Sequence, residues 1–384
     1  MLTTDHRIKD YPPMTSHSLK TALTLVSLLA LTVPGNDASA ESETLGFVVT
    51  KWNTAMHETR FMDECPSGPT PGNWEIWEAT VTPEKRRSYT EALITQVRHV
   101  NYRGPNGEDV CAEPTSVKDP PLKIVEGKYS YGIDLDGNKD GQATPKTCTH
   151  KNFTGLNGQT GVDNQMYRLM GCVEAWRSYG HIETNANSHR LSSGLGMILM
   201  EVTDVDDVIN DDSVKVSFYR GIGAFTLDSK GKALPFASYE VDHENGVPRY
   251  GDTVAGKIVD GVLKTEAADV NIPHFGNYQY IRQLIKDMQV DMELPSESGN
   301  TSGMLYGYYG VKQFYSYVRG LLTSFPNRHK YACPPIYVAA HELADGHPDP
   351  ETGECTTLSS AFKFDAVRAF INHPQSEKLA SPPE

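Results

Sequence analysis

Alternating hydrophobic and polar residues are concentrated after residue 190, where they predict a series of short β-strands. The clearest case is residues 213–220. There Val214, Val216 and Phe218 alternate with more polar residues, the period of two that is typical of a strand with one buried face. Further strands are predicted at residues 195–202, 237–241, 253–259, 262–266, 268–272, 289–293 and 302–309.

Turn signals separate these strands. The pair Asp260-Gly261 stands between two of them, and both residue types tolerate the positive φ of a two-residue hairpin turn. Residues 228–231, Asp-Ser-Lys-Gly, form a second, looser turn. Many short strands joined in this way predict an antiparallel sandwich or barrel.

Helical periodicity occurs on both sides of residue 190. Residues 84–99 place Tyr89, Leu93 and Val97 four apart, and residues 163–177 place Met166 and Met170 on one face, with Asp163 as the expected N-cap. Two shorter helices are predicted near the end of the chain, at residues 311–324 and 336–343.

The first forty residues have the features of a secretory signal. Lys20 precedes an apolar run over residues 21–33, and the small residues Ala38, Ser39 and Ala40 follow. A membrane-spanning helix needs about 20 apolar residues, so the run is too short to span a bilayer. We expect cleavage near Ala40 and a periplasmic or secreted protein with no membrane span.

These patterns together predict an α+β fold. Its C-terminal half is an antiparallel β-sandwich or barrel, and its N-terminal half is disulfide-rich and partly helical. The expected divisions are a signal peptide at 1–40, a Cys-rich mixed region with a calcium-type loop at 41–190, a β-rich domain ending in short helices at 191–373, and a tail at 374–384.

Six cysteines follow the signal segment, and in an oxidising compartment an even number predicts disulfides. Six cysteines allow fifteen pairings. Pairing of neighbours is our expectation. The three expected pairs are Cys65 with Cys111, Cys148 with Cys172, and Cys333 with Cys355.

The chain has a formal net charge of −14 at pH 7. Such a charge opposes binding to nucleic acid or to an anionic membrane surface. It is compatible with a soluble exported protein that holds cations, whose ligand or protein partner the sequence does not identify.

The most informative motif is residues 134–141, Asp-Leu-Asp-Gly-Asn-Lys-Asp-Gly. Asp136, Asn138 and Asp140 have the alternating spacing of a D-x-[DN]-x-[DN]-G calcium loop, and Asp134 extends the series. Thr147 stands where an EF-hand has its bidentate Glu. We therefore expect a structural calcium site completed by a distant carboxylate.

That carboxylate is expected to be Asp163, with Glu126 as the alternative. The expected metal ligands are thus Asp134, Asp136, Asn138, Asp140 and Asp163, and calcium is the expected cofactor. The competing interpretation is a solvated Asp/Asn/Gly turn that binds no metal. His150 follows Cys148 closely, but it has no nearby partner at metal-ligand spacing and is interpreted as a surface or hydrogen-bonded residue.

No complete catalytic motif occurs in the sequence. It contains neither a G-x-S-x-G elbow nor a phosphate-binding glycine loop. Two hypotheses follow: a calcium-stabilised binding or structural module, and alternatively a secreted hydrolase that uses dispersed Asp and Glu residues.

Three short stretches resemble a group of secreted bacterial proteins to which no activity is attached. They are residues 132–141, residues 161–165 and residues 344–349. The resemblance implies an exported bacterial protein and implies no particular chemistry.

Overall fold

Eight antiparallel strands form a closed barrel in the computed structural model. The structure describes residues 42–374 except for 73–74, 77–78, 80–81, 85–107, 277–278, 296–297 and 325–331. Strands are numbered in chain order. Around the barrel they are β1 (Glu43–Thr54), β5 (Ile198–Val205), β6 (Asp211–Ile222), β10 (Asp252–Val259), β11 (Val262–Thr265), β13 (Gln279–Glu293), β14 (Asn300–Gly310) and β16 (Cys355–Asn372). The predicted antiparallel β architecture is confirmed, and it is a barrel rather than a sandwich.

Strand β16 closes the barrel because it pairs on both sides. One edge pairs with β14 and the other with β1, where Trp52 lies opposite Phe364. Neither β1 nor β16 was predicted from the alternation. Both carry long runs of buried residues on both faces, so the simple period of two is lost.

The hairpin signals behave as predicted. Asp260 and Gly261 have φ values of 51° and 76° and connect β10 to β11, with Val259 opposite Val262. The second turn closes through a hydrogen bond of 3.0 Å from Gly231 N to the Asp228 carbonyl oxygen.

Shorter strands extend the barrel or form small sheets beside it. Among them, β7 pairs in parallel with β16, and β15 pairs with the beginning of β16. They are β2 (Tyr129–Ser130), β3 (Phe153–Gly155), β4 (Thr160–Val162), β7 (Ala237–Val241), β8 (His243–Glu244), β9 (Val247–Pro248), β12 (Ala268–Gly276) and β15 (Gly346–Pro348).

Four α-helices and one 3-10 turn have their bounds within the described residues, and residues 75–76, 79 and 83–84 are also helical. The helices are α1 (Gln165–Met170), α2 (His181–Ser193), α3 (Val311–Ser324) and α4 (Cys333–Glu342), and the 3-10 turn is Glu174–Trp176. The two C-terminal helices agree with the prediction. The helix predicted at 84–99 lies outside the described residues except at its first position. None of the described helices is long and apolar enough to cross a membrane.

The helix predicted at 163–177 is shorter than expected and begins differently. Its N-cap is Asn164 rather than Asp163, and the Asn164 Oδ1 accepts a hydrogen bond from Tyr167 N at 3.1 Å. The helix stops before Cys172, whose carbonyl oxygen accepts a hydrogen bond from Thr70 N. Asp163 is thereby left for a different contact.

The three disulfides differ from the predicted neighbour pairing. They join Cys65 to Cys172, Cys111 to Cys333 and Cys148 to Cys355, across 107, 222 and 207 residues. The reason is spatial: two of them connect the region before residue 150 to the last fifty-two residues, which the barrel topology brings alongside it. In an unfolded chain such distant links close very long loops.

Candidate metal centre

The predicted loop at residues 134–141 folds against Asp163. Ile133 and Asp163 form an antiparallel bridge, and Asp163 Oδ2 accepts a hydrogen bond of 2.8 Å from Leu135 N. Asp163 is almost fully buried. Burial raises the pKa of Asp134, and the nearby charges of Asp163 and Asp136 raise it further. Three of the five predicted ligands are therefore neighbours.

Asp136 is held by two hydrogen bonds. Its Oδ1 accepts from Asn138 N at 2.8 Å, and its Oδ2 accepts from the Thr147 hydroxyl at 3.1 Å. Both donors belong to the same polypeptide segment, so the carboxylate is oriented before any ion binds.

The other two predicted ligands, Asn138 and Asp140, are not part of this group of neighbouring carboxylates. The Asn138 side chain accepts a hydrogen bond from Asp140 N at 3.2 Å and donates one to the Gln142 carbonyl oxygen. Asp140 is exposed. The alternative ligand, Glu126, accepts a hydrogen bond from the Ser67 hydroxyl. None of these three belongs to the group of potential ligands described next.

His150 joins the site, although the sequence interpretation gave it no role there. Its Nε2 lies 3.0 Å from Asp163 Oδ1, and its side chain is 4% exposed. Ligand atoms of Asp136, His150 and Asp163 all lie within 4.8 Å of one another. A mixed set of two carboxylates and one imidazole can hold a divalent metal ion.

The backbone explains how His150 reaches this position. His150 N donates to the Gly141 carbonyl oxygen at 2.9 Å, which fastens the end of the loop to the His150 segment. Gly141 has φ +64°, and a Cβ there would lie 2.1 Å from the His150 carbonyl oxygen. Only glycine fits this close approach.

A sequence signal for His150 did exist. In an extended segment, residues two apart face the same side, and Cys148 faces inward because it is bonded to Cys355. The sequence predicts a disulfide at Cys148 but not its partner Cys355, so this signal indicates the side that His150 faces and not the residues it meets there.

Asp345 lies beside the same cluster. Cys148 N donates to the Asp345 carbonyl oxygen at 2.9 Å, and the Asp345 Oδ1 accepts from Ser359 N at 2.7 Å. Burial is the main cause that raises the pKa of Asp345 to about 7, and its charge interacts with both His150 and Asp163. The Asp345 Oδ2 and the Asp134 Oδ1 are both buried and have no hydrogen-bond partner among the described residues.

Electrostatics favour a cation at this site. Burial lowers the pKa of His150, but its hydrogen bonds to Asp163 and to the Cys148 carbonyl oxygen outweigh burial and raise the pKa to about 9. Even with His150 protonated, the three carboxylates of Asp134, Asp136 and Asp163 exceed its positive charge. Carboxylate oxygens without donors and an excess of negative charge are both relieved by a bound cation.

A separate cavity lies between the barrel and its helices. Its volume is about 40 Å³, enough for a few water molecules. Glu183 is the one carboxylate among its described lining residues, and the buried Gln283 also lines it. The aromatic lining includes Trp52, Trp176 and Tyr317.

No protein-family model, curated protein or solved structure matches this chain. The candidate site therefore rests on the geometry of its own residues.

Proposed function

We propose that the protein is an exported structural or binding module in which a divalent cation fastens the loop at residues 134–141 to the rest of the fold. The three disulfides support an oxidising environment, outside the cell or in the periplasm. A signal peptide ending near Ala40 and a partly helical N-terminal half belong to this proposal. Its ligand or partner is unspecified, and nucleic acid is excluded from it on grounds of charge.

The group Asp136, His150 and Asp163 carries the proposal. Its members come from three separate positions in the sequence and converge within 4.8 Å. All three are oriented by hydrogen bonds with residues outside the group, as metal ligands commonly are. A cation at this point would link the loop to the segment before α1 and to the segment after Cys148.

The expected role of the cation is stability. Cys148 is bonded to Cys355 at the start of β16, so the His150 segment is already attached to the barrel. An ion shared by Asp136, His150 and Asp163 would extend that attachment to the loop. Calcium remains the ion that the loop spacing proposes, and its usual shell is six to eight oxygen atoms.

Thermal unfolding of the metal-stripped protein tests this function. A saturating divalent ion, either calcium or zinc, should raise the melting temperature by about 5 °C over EDTA, because an ion at 100 times its Kd adds about 2.7 kcal/mol. Asp136→Asn should abolish the increase. The matched control Asp140→Asn changes an exposed loop carboxylate and should retain it.

Equal melting curves for the wild-type protein with EDTA, calcium and zinc would contradict the proposal. So would loss of the increase in both variants to the same extent, since general loop damage would then explain it.

A secreted hydrolase with dispersed carboxylates is the alternative function. It requires a concave site with at least two suitably placed carboxylates. Of the described residues, one carboxylate, Glu183, lines the barrel cavity, and two, Glu293 and Asp365, line an open groove of about 820 Å³ on the barrel. Turnover of glycoside or ester substrates that is lost in Glu293→Gln or Asp365→Asn would support this alternative.

A further inference from the structure

We infer that His150 is a direct ligand of the bound ion through Nε2, and that the site selects a borderline metal of the zinc class over calcium. This inference rests on the proposed function, because it identifies the ion that the same site holds.

The hydrogen bonds of His150 fix which ring nitrogen faces the ion. Nδ1 lies 2.8 Å from the Cys148 carbonyl oxygen. A carbonyl oxygen only accepts, so Nδ1 carries the proton and donates it. Metal-binding histidines commonly donate their second ring N–H to a carbonyl or carboxylate in this way. The arrangement leaves Nε2 to face Asp163.

The distance between His150 Nε2 and Asp163 Oδ1 is close to the distance between two ligand atoms of one small ion. With no ion bound, the protonated Nε2 donates to Asp163 Oδ1 at 3.0 Å; a metal ion would replace this proton and be shared by the nitrogen and the carboxylate. Zinc binds nitrogen and oxygen at about 2.0–2.2 Å in tetrahedral geometry, which places neighbouring ligand atoms about 3.3 Å apart. The observed separation is close to that value.

The oxygen donors needed by calcium are incomplete. Calcium takes six to eight oxygen ligands, yet Asn138 and Asp140, which should supply two of them, are outside the group. The Asn138 amide is occupied by hydrogen bonds on both its oxygen and its nitrogen. An ion that binds imidazole and needs only four ligands fits this group of residues better than calcium does.

Asp345 supplies the independent observation that a charged ligand belongs here. It is 1% exposed, and its Oδ2 has no hydrogen-bond donor within the described residues. Its carbonyl oxygen accepts a hydrogen bond from Cys148 N, two residues before His150, and its carboxylate interacts electrostatically with His150 and Asp163. Such a buried, unpartnered carboxylate oxygen is expected to face a cation or the water bound to one.

Isothermal titration of the metal-stripped, disulfide-intact protein tests the inference, with zinc and calcium titrated separately. We expect one zinc per chain, bound at least about 100-fold more tightly than calcium. His150→Gln should weaken zinc binding by about 100-fold or more while changing calcium affinity by less than about threefold. The control His341→Gln replaces an exposed histidine on α4 and should change neither.

Cobalt(II) substitution of the wild-type protein provides a measurement that does not depend on a variant folding. A four-coordinate site with a nitrogen ligand should give intense visible d–d absorption, and zinc should displace it.

The outcomes separate the two proposals. If neither zinc nor calcium binds, the proposed cation function fails. If calcium binds more tightly than zinc, or if cobalt gives only the weak spectrum of an oxygen-bound six-coordinate ion, the inference about His150 fails while the cation function stands.

Discussion

At the scale of single residues, the site depends on contacts between side chains that lie far apart in the sequence and meet only in the folded protein. Asp134 and Asp136 could be selected from the sequence because they follow a known ligand spacing, whereas Asp163 was selected as a distant carboxylate that could complete the loop. His150 could not be selected by spacing, since its neighbours in the site come from separate segments. The sequence indicated which types of residue could bind a metal, but it did not indicate which of them come together in the fold.

Gly141 gives a residue-scale prediction. Gly141→Ala should lower the free energy of unfolding by about 2 kcal/mol or more, because its Cβ would overlap the His150 carbonyl oxygen at a positive φ. It should also weaken metal binding by displacing His150. Denaturant unfolding and metal titration measure the two effects.

Gly137 provides the matched control for this substitution. It lies in the same loop at φ +73°, but a Cβ there would meet nothing within 4 Å. Gly137→Ala should therefore cost only about 1 kcal/mol from backbone strain and leave metal affinity unchanged. Equal losses in the two variants would show that the contact with His150 is unimportant.

At the scale of elements, the sequence predicted those with a regular local pattern, but it did not predict which strands pair over long distances in the chain. The hairpin at Asp260-Gly261 was predictable because the turn chemistry is local. β1 was missed, although it pairs with both β5 and β16. Its residues are buried on both faces through contacts that lie more than a hundred residues away, and these contacts leave no local period.

The contact between α2 and β1 gives an element-scale prediction. Glu183 on α2 accepts hydrogen bonds from Thr54 N at 2.6 Å and from the Asn53 amide at the end of β1. Burial raises the pKa of Glu183 from its ordinary 4.5 to about 8. The folded state therefore holds this proton more tightly than the unfolded state does.

The sign of the pH effect follows directly. The contribution of Glu183 to stability is complete below about pH 4.5 and is lost as pH rises through about 8. Glu183→Gln, which cannot ionise, should be more stable than the wild type at pH 9 by roughly 3–5 kcal/mol. The two proteins should be nearly equal at pH 4.5.

Denaturant unfolding across this pH range measures the difference. Glu240→Gln, which changes an exposed glutamate on β7, should follow the wild-type profile. A Glu183→Gln protein with an unchanged pH profile would mean that Glu183 is ionised in the folded state at neutral pH.

At the scale of the whole molecule, barrel closure determines the disulfides. Pairing of neighbours is a reasonable expectation when nothing is known of topology, but closure through β16 brings the first half of the chain to the last part. Cys148 therefore meets Cys355, and Cys111 meets Cys333. No local property of a cysteine specifies such a partner, so six cysteines gave the number of bonds and not their pairing.

The same long-range arrangement creates the candidate metal centre. Cys148, two residues before His150, is bonded to Cys355 and donates its N–H to the Asp345 carbonyl oxygen, and the bridge between Ile133 and Asp163 brings the loop to Asp163. The ion would thus stabilise a junction of the loop, the segment before α1 and the start of β16.

The most direct test is an anomalous difference map of crystals grown with zinc, recorded on both sides of the zinc absorption edge. We expect one peak at about 2.0–2.2 Å from His150 Nε2 and from carboxylate oxygens of Asp136 and Asp163. A map with no peak there, in which His150 Nε2 remains directly hydrogen-bonded to Asp163, would contradict it.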